Sequence, residues 1–408
     1  MNDERVPVTG SLPSRADQRV ETRYWSLSST PRLSGDDLPV ATDEPYVPDA
    51  KTGAQVMETT ADIAAFQEAA ALLRHGKTVA FPTETVYGLG ADARNDQAVS
   101  SIFKAKGRPS DNPLIVHIAD RAQLDELVEH VDELAEQLIR EFWPGPLTLV
   151  LPVRAGVLSA RVTAGLNTVA VRMPDHAVAL RLLAEAACPV AAPSANLSGR
   201  PSPTTAAHVL EDLGGRIDGI LDAGPTGVGV ESTVVETSPD GKVTILRPGG
   251  ITAEQLMAVS GVKAVLVDPG LKEAANATDG LTAPRSPGVK YTHYAPRGTM
   301  YIVEGGSVDV VAARIRTELA KATESHKRAA VLAYDEHLAA YPHPCVYSLG
   351  SLAAPEQAAQ RLYSLLRRCD EEGVDLILAE ACPLKGMGAA VMNRMLKAAG
   401  NRIIHTGN

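Results

Sequence analysis

Lys104, Lys106 and Arg108 alternate around Gly107 in the stretch KAKGRPSDNPLIVHI, Lys104 to Ile118. Alternate residues of an extended segment face the same way, so the three cations are expected on one side, and a glycine lets backbone approach a ligand closely. Arginine grips phosphate oxygens with a planar fork while lysine adds a mobile point charge. The pattern suits a phosphate chain. For K-x-K-x-R alone a solvated basic loop is an equal alternative, but the flanking Asn112-Pro113-Leu114 and the interior His117 argue against full exposure.

Further constellations follow along the chain. FPTETVYGLG, Phe81 to Gly90, puts two threonine hydroxyls, a carboxylate and a tyrosine where a strand enters a glycine turn, a frequent place for ligand contacts. AAPSANLSGRPSPT, Ala191 to Thr204, is a polar loop after an apolar strand. Its Ser194 and Asn196, two apart, can face one ligand, with Ser198, Gly199 and Ser202 beyond. Ordinary strand and turn composition would also account for both. Arg172 in VAVRMPDH and Arg247 in ILRPGG each end an apolar β-like run, where a charge needs an anion or a carboxylate partner. PTGVGVESTVVE, Pro225 to Glu236, has a glycine pair leading to Ser232 and Thr233 and reads as a ligand approach or a hairpin turn. SPGVKYTHYAPR, Ser286 to Arg297, is too aromatic for an idle spacer and could fold over a site or dock between domains.

These residues supply cations, hydroxyls and a histidine. There is no acidic cluster of metal type, no Ser-His-Asp order, no GxxxxGK[ST] and no reactive-cysteine context. The sum favours an anion-rich substrate handled by positioning and electrostatics without a covalent nucleophile.

The elements that must hold them are readable in outline. A chain of 408 residues, 45% hydrophobic, is long enough for two cores. A net charge of −10 weighs against broad electrostatic coating of nucleic acid, so any anion site is local. Cys188, Cys345, Cys369 and Cys382 form no CxxC pair, which fits a reducing compartment. No signal-type apolar core and no run of about 18 apolar residues is present, so the protein reads as soluble and cytoplasmic. Residues 1–58 read as an extended or disordered tail, being rich in Pro, Ser, Thr, Asp and Arg. Ile63, Phe66, Ala70 and Leu73 predict a helix stopped by Gly76, with a strand TVAFP after it; Leu124, Leu127, Val131, Leu134 and Leu138 predict a second helix over 122–140. Strands are expected at LTLVLPV, NTVAVRMP, CPVAAPSA, IDGILDAG, STVVETS and VTILRPG. The mixture gives an α/β (α+β) domain over 59–260, a linker or lid over 261–298, and a smaller Rossmann-like α/β domain over 299–408 that lacks GxGxxG after its first strand.

Taken in order, PTETVYGLG, KxKGRPxxNPLxxH, WPGPLTLVL, VAVRMP, PSANxSGxPSPT, GxESTVV and LRPG resemble the YrdC-like family of threonylcarbamoyl-AMP synthases. The long form of that family adds a second domain after a PGxKYxHYAP linker, and the likeness runs from about Thr60 to the C terminus. The resemblance implies a YrdC-like twisted open sheet with a concave basic cavity. It also implies formation of threonylcarbamoyl-AMP and pyrophosphate from L-threonine, bicarbonate and ATP, usually with Mg2+. The product would serve threonylcarbamoyladenosine formation on tRNA next to the anticodon through a separate tRNA threonylcarbamoyl transferase.

By the same resemblance Lys106 and Arg108 are the catalytic cations. Arg108, Asn112, Thr168, Ser194, Asn196, Ser202, Arg247 and Tyr294 would hold ATP, with Tyr291 and His293 near Tyr294. Thr85, His117, Arg172, the Ala192 backbone and Ser232 would hold threonine, and no residue is assigned as a metal ligand or general base. The rival reading is a tRNA-binding module without adenylate-forming activity, or a weak RNA contact beside it; the acidic net charge weighs against a broad RNA footprint. A carbamoyl-phosphate enzyme of the hydrogenase-maturation type would carry CxxC pairs, which are missing here.

Overall fold

The computed structural model describes residues 20–27, 59–273 and 293–406, and its strands gather into two sheets. The first contains β1 (Arg23–Ser26), β2 (Val79–Phe81), β3 (Gly88–Asp92), β4 (Ile115–His117), β5 (Leu147–Pro152), β6 (Thr168–Arg172), β7 (Val190–Ala191), β8 (Gly219–Asp222), β9 (Thr233–Ser238), β10 (Lys242–Arg247) and β11 (Ala264–Val267). Their spatial order is β1-β8-β2-β3-β7-β4-β6-β5-β9-β10-β11, with parallel and antiparallel pairs mixed. The second contains β12 (Thr299–Glu304), β13 (Ala329–Ala333), β14 (Val346–Ser348), β15 (Leu376–Glu380) and β16 (Ile403–His405), all parallel, in the order β14-β13-β15-β12-β16. The helices are α1 (Thr60–Arg74), α2 (Asp96–Lys106), α3 (Arg121–Leu127), α4 (Glu133–Phe142), α5 (Ala160–Thr163), α6 (Ala177–Ala186), α7 (Ala206–Leu213), α8 (Ala253–Met257), α9 (Gly270–Glu273), α10 (Val308–Glu324), α11 (Pro355–Glu371) and α12 (Gly388–Ala398).

Alternation along the strands separates two cores. Val79 and Phe81 of β2 pack with Phe66, Leu73, Leu182 and Leu183 of α1 and α6, while Ala80 between them faces Val99, Ile102 and Leu138. The second sheet is likewise covered on both faces, by α11 and α12 through Leu362 and Met395 and by α10 through Ile315 and Leu319. The α11/α12 cluster also takes in Val86, Val230 and Tyr294, so it extends into the first unit beside the PTETVYGLG turn.

Several expectations change on contact with the structure. The helix expected over 122–140 is two helices. Val128 is extended, Glu129 N–H donates to the Pro152 carbonyl, and Asp132 caps α4 through Ala135 N–H while accepting from Thr237. Ile63 of α1 is exposed, and the buried face of the helix is made by Ala65, Phe66, Ala69, Ala70 and Leu73. Arg23–Ser26, inside the stretch read as a tail, pairs in parallel with Gly219–Asp222. Ala264–Val267, inside the stretch read as a linker, extends the first sheet beside β10. The rest of the tail and linker readings, Tyr291 included, falls on residues 1–19, 28–58 and 274–292, outside the described residues. No helix among the described residues is long and apolar enough to cross a membrane.

Candidate functional site

The opening basic stretch is not extended. Asn95 caps α2 with its side chain, the helix runs to Lys106, and Gly107 ends it in the left-handed region at φ 61°. A helical turn sends residues two apart in different directions. Lys104 is accordingly exposed on the outer face, whereas Lys106 is 2% exposed and Arg108 lies beyond the turn. The Lys106 ammonium donates to the carbonyls of Ser194 and, at 2.6 Å, Asn196. It therefore braces the PSAN loop while placing its charge at the cavity wall. Burial first, and Arg108 next, push its pKa well below the usual lysine range.

Around this brace lies a concave, mostly polar-lined cavity. Thr85, Lys106, Arg108, His117, Arg172, Ala192, Ser194, Asn196, Ser232, Arg247 and Tyr294 all line it, together with Glu231 and His293. The sheet explains the convergence. His117 and Arg172 are paired neighbours at the ends of parallel β4 and β6, and Ser232 and Arg247 stand at the facing ends of antiparallel β9 and β10.

One end of the cavity is organised by Arg172, 3% exposed. Its Nη1 donates to Thr85 Oγ1 at 2.9 Å, Nε donates to the Gly145 carbonyl, and Nη2 lies within ion-pair distance of Glu84 but outside hydrogen-bond geometry. A guanidinium held this way keeps N–H donors for a further carboxylate. Beside it His117 is fully buried, and burial, with the Arg172 charge second, pushes its pKa down to about 3. The ring is neutral at physiological pH and its Nδ1 has no partner, so it can accept a hydrogen bond from an incoming group.

In the same cavity Arg247 donates through Nη2 to the Ser232 carbonyl at 2.9 Å and hydroxyl at 3.1 Å, and Ser232 also bonds Thr148. Ser194 Oγ donates to Asn196 Oδ1, whose amide nitrogen donates to Leu197 and Arg200 carbonyls, fixing the loop above Lys106. The Ala192 N–H is consumed by the Ile115 carbonyl, which leaves only its carbonyl for a ligand.

Three residues expected on the nucleotide do not line the cavity. Ser202 is buried behind it and donates to Glu231 Oε1 at 2.6 Å. Asn112 is buried two residues before the lining Leu114, and neither of its amide atoms has a partner. Thr168 opens β6 opposite Pro152; at about 3.3 Å per residue it stands roughly 13 Å along the strand from Arg172.

The sequence reading also missed members. Glu231, inside the GxESTVV motif, is a buried hub that accepts from Ser202, from Tyr363 at 3.0 Å and from Arg394 Nε at 2.7 Å. Burial pushes its pKa up, but Arg394 and then Arg247 overcome this and hold it at about 2. Lys397, also on α12, is pushed down to about 7 by burial and by the Arg394 and Arg247 charges. Tyr294 stacks 5.2 Å from Tyr363 and has a φ of 65°, unusual for a bulky residue, and the adjacent Ala295 N–H is tied to the Gly199 carbonyl. Nothing local in the sequence marks Tyr363, Arg394 and Lys397 as neighbours of the motifs they reach.

No group of three or more His, Cys, Asp or Glu side chains among the described residues is placed to hold a metal ion. Glu231, which lines the cavity, and Glu84, which pairs with the lining Arg172, are both engaged by arginine. The donor set does not fit a resident magnesium ion.

Residues 71–249 match the Sua5/YciO/YrdC family model, described as telomere recombination, and residues 251–400 match the model of the threonylcarbamoyl-AMP synthase C-terminal domain. The chain is 53% identical over 337 residues to the threonylcarbamoyl-AMP synthase of Bacillus subtilis, covering 83% of this chain and 93% of the relative. It is 47% identical over 336 residues to the enzyme of that name from Pyrococcus abyssi, covering 82% and 94%. The crystal structure of P. abyssi Sua5 complexed with L-threonine superposes with a TM-score of 0.76 at 47% identity, over 84% of this chain and 96% of that one.

Proposed function

Because the chain belongs to the threonylcarbamoyl-AMP synthase family in its two-domain form, we propose that its cavity joins L-threonine, bicarbonate and ATP into threonylcarbamoyl-AMP and pyrophosphate. One observation carries the reading: a single cavity joins an arginine and a neutral histidine, Arg172 and His117, to Lys106, Arg108 and Arg247. The first pair suits an amino acid; the cationic set suits a phosphate chain.

In this reading Arg172 takes the threonine carboxylate with its remaining donors, Thr85 and Ser232 add hydroxyls, and neutral His117 accepts from threonine without repelling its amine. The amine attacks bicarbonate carbon, water leaves, and a carbamate forms. A carbamate oxygen then attacks the α-phosphorus, and pyrophosphate departs with the electrons of the broken P–O bond. Such transfers depend on alignment and charge neutralisation. Arg108, Arg247 and the charge of Lys106 serve the phosphates, Ser194 and Asn196 present the loop, and Tyr294 covers the nucleotide. Magnesium enters with ATP as part of the substrate. The adenylate passes to a tRNA threonylcarbamoyl transferase, which places the enzyme in the cytoplasm beside its tRNA-modifying partner. The cations sit in a cavity of an acidic protein instead of spreading over its surface, which counts against the RNA-module alternative.

The test is pyrophosphate release by purified protein with Mg·ATP, with threonine and bicarbonate each omitted in turn. Release that needs both, and is lost in Arg172→Ala, supports the reading. Release independent of threonine contradicts it.

A further inference from the structure

We infer that Arg394, which lies in the second domain, is a positioning residue for the nucleotide end of the cavity, acting through Glu231 and Tyr294. The inference rests on the reading above and assigns the second domain a part in it.

Arg394 has no exposed surface. Its Nε donates to Glu231 Oε2 at 2.7 Å, its Nη1 donates to Asn393 Oδ1 at 2.8 Å, and its guanidinium lies 5.5 Å from the centre of the Tyr294 ring. Both targets line the cavity, while Arg394 itself stands behind them. A buried carboxylate stays ionised only where a partner offsets its desolvation, and Arg394 is the strongest such influence on Glu231. Ionised, Glu231 fixes the Ser202 hydroxyl from the first domain and the Tyr363 hydroxyl from the second on one group. Tyr294, held in the left-handed region, needs surroundings that over-determine it. Arg394 on one side and the Tyr363 ring on another supply them.

A second buried arginine gives the contrast. Arg367, 1% exposed, also crosses between the domains, donating to Asp212 at 2.8 Å and to the Pro201 carbonyl at 2.6 Å. Neither Asp212 nor Pro201 lines the cavity. The two arginines share chemistry and burial and differ in what they touch, so a pure fastening role predicts the same behaviour for both. A positioning role predicts that Arg394 alone affects the nucleotide, leaving Thr85, His117 and Arg172 at the threonine end in place.

The experiment compares Arg394→Met, Arg394→Lys and Arg367→Met in the full chain. It measures L-threonine affinity by calorimetry, the KM for ATP from pyrophosphate release at saturating threonine and bicarbonate, and the melting temperature. Arg394→Met is expected to raise the KM for ATP by about tenfold to a hundredfold, as misplacement remote from the chemistry can, with threonine affinity within about twofold. Arg394→Lys recovers part of the loss, since an ammonium still pairs with Glu231 but cannot lie flat against Tyr294. Arg367→Met lowers the melting temperature and moves neither constant. Should Arg394→Met fail to fold, Tyr363→Phe removes one hydrogen bond to Glu231 and is expected to raise the KM for ATP by about threefold, the effect of a modest hydrogen bond. The inference is overturned if the Arg394 and Arg367 variants shift both constants alike, if threonine affinity falls with that for ATP, or if Tyr363→Phe leaves the KM unchanged. Wild-type protein that releases no threonine-dependent pyrophosphate would instead overturn the functional reading beneath it.

Discussion

Lys106→Met separates the bracing role that this ammonium has in the structure from the catalytic role proposed for it. As a brace, Lys106 satisfies the Ser194 and Asn196 carbonyls, and stranding two buried acceptors costs about 1–3 kcal/mol each. Against this, methionine removes a buried charge whose desolvation costs several kcal/mol and which pushes the lysine pKa well below its usual value. The two contributions are similar in size and opposite in sign, so the variant is expected to stay within about 2 kcal/mol of wild-type stability. Activity has no such offset. Loss of a preorganised charge beside a reacting phosphate costs about 10²–10³ in rate, or about 2.7–4 kcal/mol of transition-state stabilisation. The assay pairs urea unfolding with kcat/KM for ATP from pyrophosphate release. A stable variant within tenfold of wild-type kcat/KM would refute the argument and reduce Lys106 to a structural brace.

Arg172→Lys keeps the charge near Glu84 but loses the fork, and is expected to weaken threonine binding by about 1.5–3 kcal/mol, read by calorimetry, with the KM for ATP little changed. His117 gives a pH signature. Its folded pKa of about 3 lies below the unfolded value of 6.5, so the unfolded chain takes up the proton first and stability falls as pH drops from 6.5 toward 3. At pH 5 the loss is about 2 kcal/mol. Glutamine does not titrate, so between pH 7 and pH 5 wild type should lose about 2 kcal/mol more than His117→Gln in urea melts; equal losses would show that the imidazole is not held neutral. Gly229, at φ 80°, brings the first domain against α11, where a Cβ would sit 2.4 Å from the Ala359 carbonyl oxygen and the Gln360 Cα. Gly229→Ala is expected to cost about 2–4 kcal/mol from overpacking and left-handed strain, and an unchanged denaturation midpoint would contradict the close approach.

What could be read from the sequence was local. Apolar periodicity found α1, and β-type runs ending in Arg172 and Arg247 located β6 and β10 because each arginine closes its own strand. Alternation in the last hundred residues found the second domain but not Ile403–His405, a three-residue strand with no polar-apolar rhythm of its own. The basic stretch was misread in geometry because its cations end a helix, where Asn95 and Gly107 set the bounds. Arg23–Ser26 is too short to announce itself and pairs with residues about two hundred positions away. Glu231 and Arg394 meet across 163 positions, and Tyr363 reaches Glu231 across 132. A lone arginine in VMNRMLKAAG hints only that some partner must exist, since an arginine on an otherwise apolar helix face needs one.

The most direct test of the central claim is the fate of the bicarbonate carbon. Protein incubated with Mg·ATP, L-threonine and carbon-13 bicarbonate should yield an adenylate whose mass carries both threonine and the labelled carbon, in step with pyrophosphate and absent when threonine is omitted. An adenylate without the label, or pyrophosphate release with no threonine-bearing adenylate, would contradict the account.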